Sequence, residues 1–307
     1  MGESLLIAGT GALACLFGSR LAAAGVRVTM LGTWQEGLEA LSAHGVRVAD
    51  PEGSERSYPV QATADPAECA DARLALVLVK SWQTERAARQ LAECLAPDGL
   101  ALTLQNGLGN RESLERALGA ERVALGVTTT GATLVGPGQV RPGGEGTVSV
   151  GEHARLEPLV GLLRQAGFAV EVVPEADDLL WSKLVVNAAI NPLTALLRCP
   201  NGELVVRPSA RELMGSAARE AAAVAEALGR QLTYADPVAI SEDVARRTGA
   251  NHSSMFQDVL RAAPTENDAI CGAIVAAGEK HGVPTPVNRT LWLLVKALVS
   301  RTGNPAN

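Results

Sequence analysis

The sequence predicts an α/β amino-terminal domain followed by an all-helical carboxy-terminal domain. Three observations lead there. At 307 residues the chain exceeds one ordinary domain. Up to about residue 174, short apolar runs with strand character alternate with helical patterns. From Glu175 onward the strand signal stops, and Ala-, Leu- and Val-rich helical stretches such as ARELMGSAAREAAAVAEALG take over. The expected domains are therefore 1–174 and 175–307, meeting directly at a cleft without a low-complexity linker.

In chain order, SLLIA (4–8) reads as a strand, and GTGALACLFGSRLAAAG as a turn into a helix ending near Gly25. VRVTML is a second strand. A looser region precedes LALVLVK (74–80), a helix from Thr84 to Leu95, a Pro97-Asp98-Gly99 turn and the strand LALTL. A helix from Arg111 to Leu118 and the strand VALGV follow. GPGQVRPGGEGTVSVG is expected to form an antiparallel hairpin, before a helix over 155–166 and the strand AVEVV. This βαβ alternation implies a mostly parallel sheet.

Composition narrows the function classes. With 47% hydrophobic and 20% charged residues the chain can bury a large core, and 3% aromatics leaves aliphatic side chains to fill it. A net charge of -6 without a dense Lys/Arg run argues against nucleic acid and anionic membranes as partners. Cys15, Cys69, Cys94, Cys199 and Cys271 are odd in number and form no C-x-x-C pair, as expected of reduced thiols in a cytoplasmic protein. His44, His153, His252 and His281 show no ligand spacing, so no metal is expected. No apolar run is expected to span a membrane, LWLLVKALVS being short and broken by Lys296.

Gly9-Thr10-Gly11-Ala12-Leu13-Ala14 follows the first strand and opens a helix, matching G-x-G-x-x-G/A where that pattern has meaning. Gly9 permits the tight turn, Gly11 lets a pyrophosphate approach the positive helix end, and Ala14 is small enough for helix–strand packing. The first domain is thus expected to be of Rossmann type and to bind a dinucleotide. After the second strand, Leu31-Gly32-Thr33-Trp34 carries neither an acid for a ribose 2′-hydroxyl nor a base for a 2′-phosphate. Lys80 and Asn106 leave adjacent strand ends, where ligands of open α/β sheets bind.

WSKLVVNAAINPLTAL (181–196) reads as a buried helix, yet Lys183, Asn187 and Asn191 recur at steps of four. Each step turns the helix by about 40°, so the three lie within an arc of roughly 80°. Their neighbours are apolar, and a buried unpaired amide costs about 1–3 kcal/mol, so something polar must meet the stripe. Pro192 frees the carbonyl of Ala188 and is expected to kink the helix beside Asn191.

WSKLVVNAAINPLTAL with CPNGEL, NHSSMFQD (251–258), PTEND (264–268) and HGVPTPVN (281–288) resembles the signatures of the ketopantoate reductase (2-dehydropantoate 2-reductase) family. GTGALA, VLVKSWQT, QNGLG and GVTTTGA match its amino-terminal pattern in order, so the resemblance spans nearly the whole chain. It implies an oxidoreductase that reduces ketopantoate to pantoate with NADPH, toward pantothenate and coenzyme A. By the same resemblance, Lys183 is the general acid, Asn187 and Asn191 hold the substrate hydroxyl, and Ser254 and Asn106 meet its carboxylate region. Asn251 supports that loop or caps the next helix. Glu266 lies near cofactor and substrate, or is a first-turn helix carboxylate. Lys80, Gln83 and Ala132 match cofactor-contacting positions, with Asn106 and Glu266 reaching the cofactor too.

Two departures stand out. The basic residue that family members often carry after the second strand is missing, which keeps NADH open beside NADPH. Where they often have a His in the Gly-rich hairpin, this chain reads Val140-Arg141-Pro142. The implied partner is a small anionic 2-keto acid, and a homodimer is open. Two other readings stay open: a reductase of another 2-keto or β-hydroxy acid, and a regulatory dinucleotide-binding module without turnover. The last has no need of Lys183, Asn187, Asn191, Ser254 and Glu266 together.

Overall fold

The computed structural model describes residues 4–49 and 54–300, which form two compact units. The first comprises the residues up to Gln105 and Asn110–Ala176; the second comprises Asn106–Gly109 and the chain from Asp177 onward. Residues 106–109 thus leave the first unit's sheet and pack with the helical unit.

The strands of the first unit are β1 Ser4–Ala8, β2 Arg27–Leu31, β3 Val46–Ala49, β4 Glu55–Tyr58, β5 Gln61–Thr63 and β6 Ala72–Val77. They continue as β7 Leu95–Thr103, β8 Val123–Thr128, β9 Gly131–Gly136, β10 Gln139–Gly144, β11 Thr147–Gly151 and β12 Ala169–Val173. Eight of them make one sheet in the order β12-β11-β8-β7-β6-β1-β2-β5. From β5 to β8 all neighbours are parallel, while β11 pairs antiparallel with β8 and parallel with β12. β1 lies between β2 and β6, so the chain reverses its direction of travel across the sheet there, and the ends of β1 and β6 border the crevice.

The central strands are apolar on both faces because helices cover both. On one face Leu5, Ile7, Leu76, Leu100 and Leu102 pack with Leu16, Phe17 and Leu21 of the helix Ala12–Ala23. On the other, Leu6, Ala75, Val77 and Ala101 meet Ala88 and Leu91 of the helix Thr84–Cys94 and Leu114 of the helix Asn110–Leu118. Each fully buried Leu or Ile contributes about 1.5–3 kcal/mol.

Three details differ from the sequence-based expectations. The looser region contains the helix Gln35–His44 and the short strands β3, β4 and β5. The hairpin forms between β9 and β10 around Pro137-Gly138, whereas β11 leaves it to extend the larger sheet. With β3 and β4, this hairpin builds a second sheet in the order β4-β3-β10-β9, packed on the helix Ala12–Ala23. Pro97-Asp98-Gly99 falls inside β7 as an irregular stretch: pairing with β6 passes from Leu95 directly to Leu100, so it interrupts the ladder ahead of LALTL.

In the second unit the helix Ala176–Leu197 forms the core with Pro208–Ala227, Pro237–Arg247, Ser254–Leu260, Ala273–His281 and Pro286–Ser300. Contrary to the expectation that no segment is suited to a membrane, Ala176–Leu197 is long and apolar enough to cross one by composition. Its most apolar window is 72% buried inside the protein, because this helix carries Leu184, Val185, Ala188 and Ala189 into the middle of the unit. The helix runs on past Pro192 without interruption, and the Thr194 hydroxyl donates to the carbonyls of Ile190 (3.1 Å) and Asn191 (2.9 Å) one turn back. The five cysteines are unpaired and buried.

Candidate active site

The glycine turn follows β1 directly. Gly9 has φ +134°, and a Cβ there would sit 3.0 Å from the Leu78 carbonyl carbon, so both the conformation and the approach of the β6 end require glycine. Its N–H donates to the Leu31 carbonyl (2.8 Å), and the Leu78 N–H donates to that of Ala8 (2.9 Å), locking the turn between β2 and β6. At Gly11 a Cβ would meet nothing within 4 Å, so glycine leaves open space over the start of the helix Ala12–Ala23. No side chain caps that helix and its first turn holds no acid. Uncapped N–H groups, positive dipole and open space together fit a pyrophosphate. Thr10 is buried, with Gly32 so close that a Cβ there would lie 2.7 Å from the Thr10 methyl. Ala12 and Leu13 open the helix, and Ala14 is fully buried against the sheet.

Lys80 and Gln83 bound a short 3₁₀ turn after β6, where the Lys80 N–H donates to Gln83 Oε1 (3.2 Å). Sequence reading passed over Gln105, whose Nε2 donates to the Val79 carbonyl and to Thr84 Oγ1, both at 2.8 Å. Gln105 thereby ties the end of β7 to the segment leading to Lys80. Ala132 is half-buried on β9 of the smaller sheet, paired with Pro142, and Arg141 is exposed beside it on β10.

In the second unit, Lys183, Asn187 and Asn191 share the helix Ala176–Leu197. Desolvation lowers the Lys183 pKa from 10.5 to about 8, and the negative charge of Glu266 acts in the opposite direction. Asn187 is half-buried and Asn191 buried, yet among the described residues neither amide has a hydrogen-bond partner. Glu266 is buried, and its Oε2 accepts from Asn106 Nδ2 at 3.3 Å. The structure therefore gathers Lys183, Glu266 and Asn106 into one electrostatic group.

Glu266 is not in the first turn of an α-helix: it precedes a π-helical turn, Asp268–Gly272. Such turns are rare and often lie at functional sites. Ser254 is exposed at the first position of the helix Ser254–Leu260. The cap of that helix is Ser253 and not Asn251: its Oγ accepts from the Phe256 N–H (3.1 Å) and is hydrogen-bonded to Thr194 Oγ1 (2.7 Å). Ser253 is buried and two residues closer to the helix, so its short side chain reaches the first-turn N–H groups. Asn251 is exposed and supports the loop through its backbone, whose carbonyl accepts from the Asn201 N–H (3.0 Å). The Thr194–Ser253 link, missed in the sequence, joins the helix of the polar stripe to the Asn251–Ser254 segment. The SS doublet was its visible signal.

A doubly wound sheet with a glycine turn at its reversal point is the framework of dinucleotide-dependent oxidoreductases. Residues 5–155 match the family model described as ketopantoate reductase PanE/ApbA, and residues 175–299 match that of its C-terminal region. A curated 2-dehydropantoate 2-reductase of Archaeoglobus fulgidus is 40% identical over 97% of this chain and 98% of its own. The crystal structure of a PanE/ApbA family ketopantoate reductase from Ralstonia eutropha JMP134 superposes with TM-score 0.91, at 32% identity over 98% of this chain and 100% of that one. A D-mandelate dehydrogenase, in a ternary structure with NADH and anilino(oxo)acetate, gives TM-score 0.90 at 27% identity, over 98% of this chain and 100% of that one. The chain belongs to the ketopantoate reductase PanE/ApbA family, whose members are dinucleotide-dependent reductases.

Proposed function

We propose that this chain reduces the keto group of 2-dehydropantoate to give pantoate, with NADPH as donor, as a step toward pantothenate. The single observation that carries the reading is the stripe on Ala176–Leu197: a desolvated lysine followed by two amides without partners among the described residues. Neither amide is among the fully enclosed side-chain atoms that lack a partner, so both stand open to hydrogen-bond a polar ligand beside the lysine. The names of the relatives and the matching residues supply the substrate.

When bound at the glycine turn, the reduced dinucleotide supplies a hydride to the keto carbon. Negative charge then develops on the keto oxygen, and Lys183 meets it with an ammonium proton. A pKa of about 8 keeps the group charged at neutral pH while making it a stronger acid than an ordinary lysine. The proton moves from Lys183 Nζ to the oxygen, completing the alcohol, and solvent restores the ammonium. Asn187 and Asn191 donate to the substrate oxygens and fix the carbonyl, while Ser254 and Asn106 orient the carboxylate end and Asn251 keeps the Ser254 segment in place. Glu266 holds Asn106 and stabilises the charged form of Lys183.

In this reading Gly9–Ala14, Lys80, Gln83 and Ala132 hold the dinucleotide, and Asn106 and Glu266 are residues that also contact it. Directly after β2, Gly32-Thr33-Trp34 offers no acid to a ribose 2′-hydroxyl, which supports NADPH over NADH. The unpaired buried thiols support a reducing, cytoplasmic setting.

One observation favours a second reading, a bulkier 2-keto acid with NADH: the TM-score of 0.90 to a D-mandelate dehydrogenase solved with NADH. A single experiment separates the two. Steady-state oxidation of NADPH and of NADH is followed with 2-dehydropantoate, the keto acid of mandelate and a series of aliphatic 2-keto acids. The highest kcat/KM with 2-dehydropantoate and NADPH is expected; a higher value for the aromatic acid or for NADH would replace the first reading by the second.

A further inference from the structure

Glu266 sits at the mouth of a turn that needs outside support. In the π turn Asp268–Gly272, the Gly272 N–H reaches five residues back to the Asn267 carbonyl (3.0 Å), and the Glu266 carbonyl accepts from both Ala269 and Ile270 at 3.1 Å. Widened turns of this kind hold poorly on their own, and runs of them are scarce for that reason. Here one residue of the last helix, Trp292, grips the turn at three points. Its carbonyl accepts from Asn267 Nδ2 at 2.8 Å, and its indole Nε1 donates to Asp268 Oδ1 at 2.6 Å. The indole also lies against Gly272, where a Cβ would be 2.9 Å from Nε1. Lys296 completes the clamp, its Nζ 3.3 Å from Asp268 Oδ1 and 4.9 Å above the Trp292 ring.

The same turn seats the segment 106–109. The Ala269 carbonyl accepts from the Leu108 N–H at 2.9 Å, and Gly107 passes so close that a Cβ would lie 2.5 Å from that oxygen. Asn106 then reaches Glu266 at 3.3 Å. The turn therefore fixes both members of the Asn106–Glu266 pair, and Trp292 fixes the turn.

From this we infer that Trp292, acting through Asp268 and the π turn, is a positioning residue that sets where the Glu266 carboxylate stands. The inference rests on the functional reading above for its catalytic meaning, but not for its structural content. The charged groups that the structure places against the turn are Glu266 and Asp268 on its own segment, Lys296 on the last helix, and Glu220 on the helix Pro208–Ala227, whose charge acts on the Cys271 thiol within the turn. Of the charged groups, Glu266 is the one that acts on Lys183, and it raises the pKa that desolvation lowers. A Glu266 released from its position supports the ammonium less, so Lys183 titrates lower.

The test titrates Lys183 directly in the intact protein, without substrate or dinucleotide. Trace acylation of amines is run across pH, and labelling at Lys183 is read by mass spectrometry beside that at Lys80, Lys280 and Lys296. Glu266→Gln provides the benchmark for full loss of the interaction. Trp292→Phe and Asp268→Ala are expected to move the Lys183 midpoint down, in the direction of Glu266→Gln. Asp268→Asn, which keeps the oxygen that accepts the indole N–H, is expected to stay at the wild-type midpoint. In turnover, Trp292→Phe and Asp268→Ala then lose roughly three- to tenfold in kcat/KM on the alkaline side with little loss at low pH.

The inference is overturned if Trp292→Phe and Asp268→Ala lower Tm but leave the Lys183 midpoint in place. It is equally overturned if Asp268→Asn shifts as far as Asp268→Ala, since charge and not the indole bond would then be responsible. Should Trp292→Phe fail to fold, the Asp268 pair decides, because that side chain is 70% exposed and tolerates replacement. Failure of 2-dehydropantoate turnover leaves the labelling result readable, so the two readings fail separately.

Discussion

Asn106 Nδ2 donates to Glu266 Oε2 at 3.3 Å across 160 positions of sequence, joining the segment that leaves β7 to the π turn of the helical unit. Around that bond the proposed chemistry can be probed one residue at a time.

Lys183→Ala is expected to lower kcat by more than about a hundredfold, the loss of a general acid, while dinucleotide affinity stays within about twofold. Stopped turnover with intact binding, read by fluorescence titration of the dinucleotide, checks this. Wild-type turnover in the variant would remove Lys183 from the mechanism.

The pH dependence follows from the same amine. With its pKa lowered from 10.5 to about 8, kcat/KM should be level below about 8 and fall as pH rises through it. Stability runs the other way. Between about 8 and 10.5 the unfolded chain carries a proton on Lys183 that the folded chain lacks, so stability rises with pH across that window. Below about 8 both states are protonated and the full cost of desolvating the charge is present. Lys183→Met should therefore raise Tm at pH 7 and flatten the alkaline rise, measured by calorimetry at several pH values.

Asn187→Ala and Asn191→Ala should raise KM about tenfold or more while changing stability by less than about 1 kcal/mol, because neither amide has a partner among the described residues. Ser253→Ala, by contrast, removes a helix cap and the hydroxyl bonded to Thr194, at a cost of about 1 kcal/mol or more. Parallel kinetic and denaturation series distinguish the two kinds of residue; a stability loss at Asn187 equal to that at Ser253 would count against a ligand-facing amide.

Two glycines of one turn should fail differently. Gly11→Val places its side chain in open space and should leave Tm near wild type while weakening dinucleotide binding tenfold or more, on the order of 1.4 kcal/mol. Gly9→Ala meets the Leu78 backbone from a left-handed φ and should destabilise the fold by about 1–3 kcal/mol. Thermal melts with and without dinucleotide separate the cases.

Much of this was legible in the sequence because it rests on local periodicity. The glycine turn, the alternation through β8 and the polar stripe all repeat at fixed spacing, and the structure has the corresponding strands and helices. The strands β3 and β4 of the smaller sheet and the edge strand β5 of the larger one were not legible: they are three to four residues long, and β4 reads ERSY, with no alternation to reveal a buried face. Nor could spacing expose Gln105, Thr194, Ser253 or Trp292. Each acts by a bond to a residue distant in sequence, and a hydroxyl, an amide or an indole in isolation signals no partner.

The helix Ala176–Leu197 has a consequence for any effort to retune this reductase. The turns that display Lys183, Asn187 and Asn191 also bear Leu184, Val185, Ala188 and Ala189, so redesigning the reactive face by shifting its register would dismantle the hydrophobic centre it grows from. Libraries seeking a new keto acid should hold those turns constant and diversify the exposed positions Asn251 and Ser254, leaving His252, whose ring packs on the core residue Phe256.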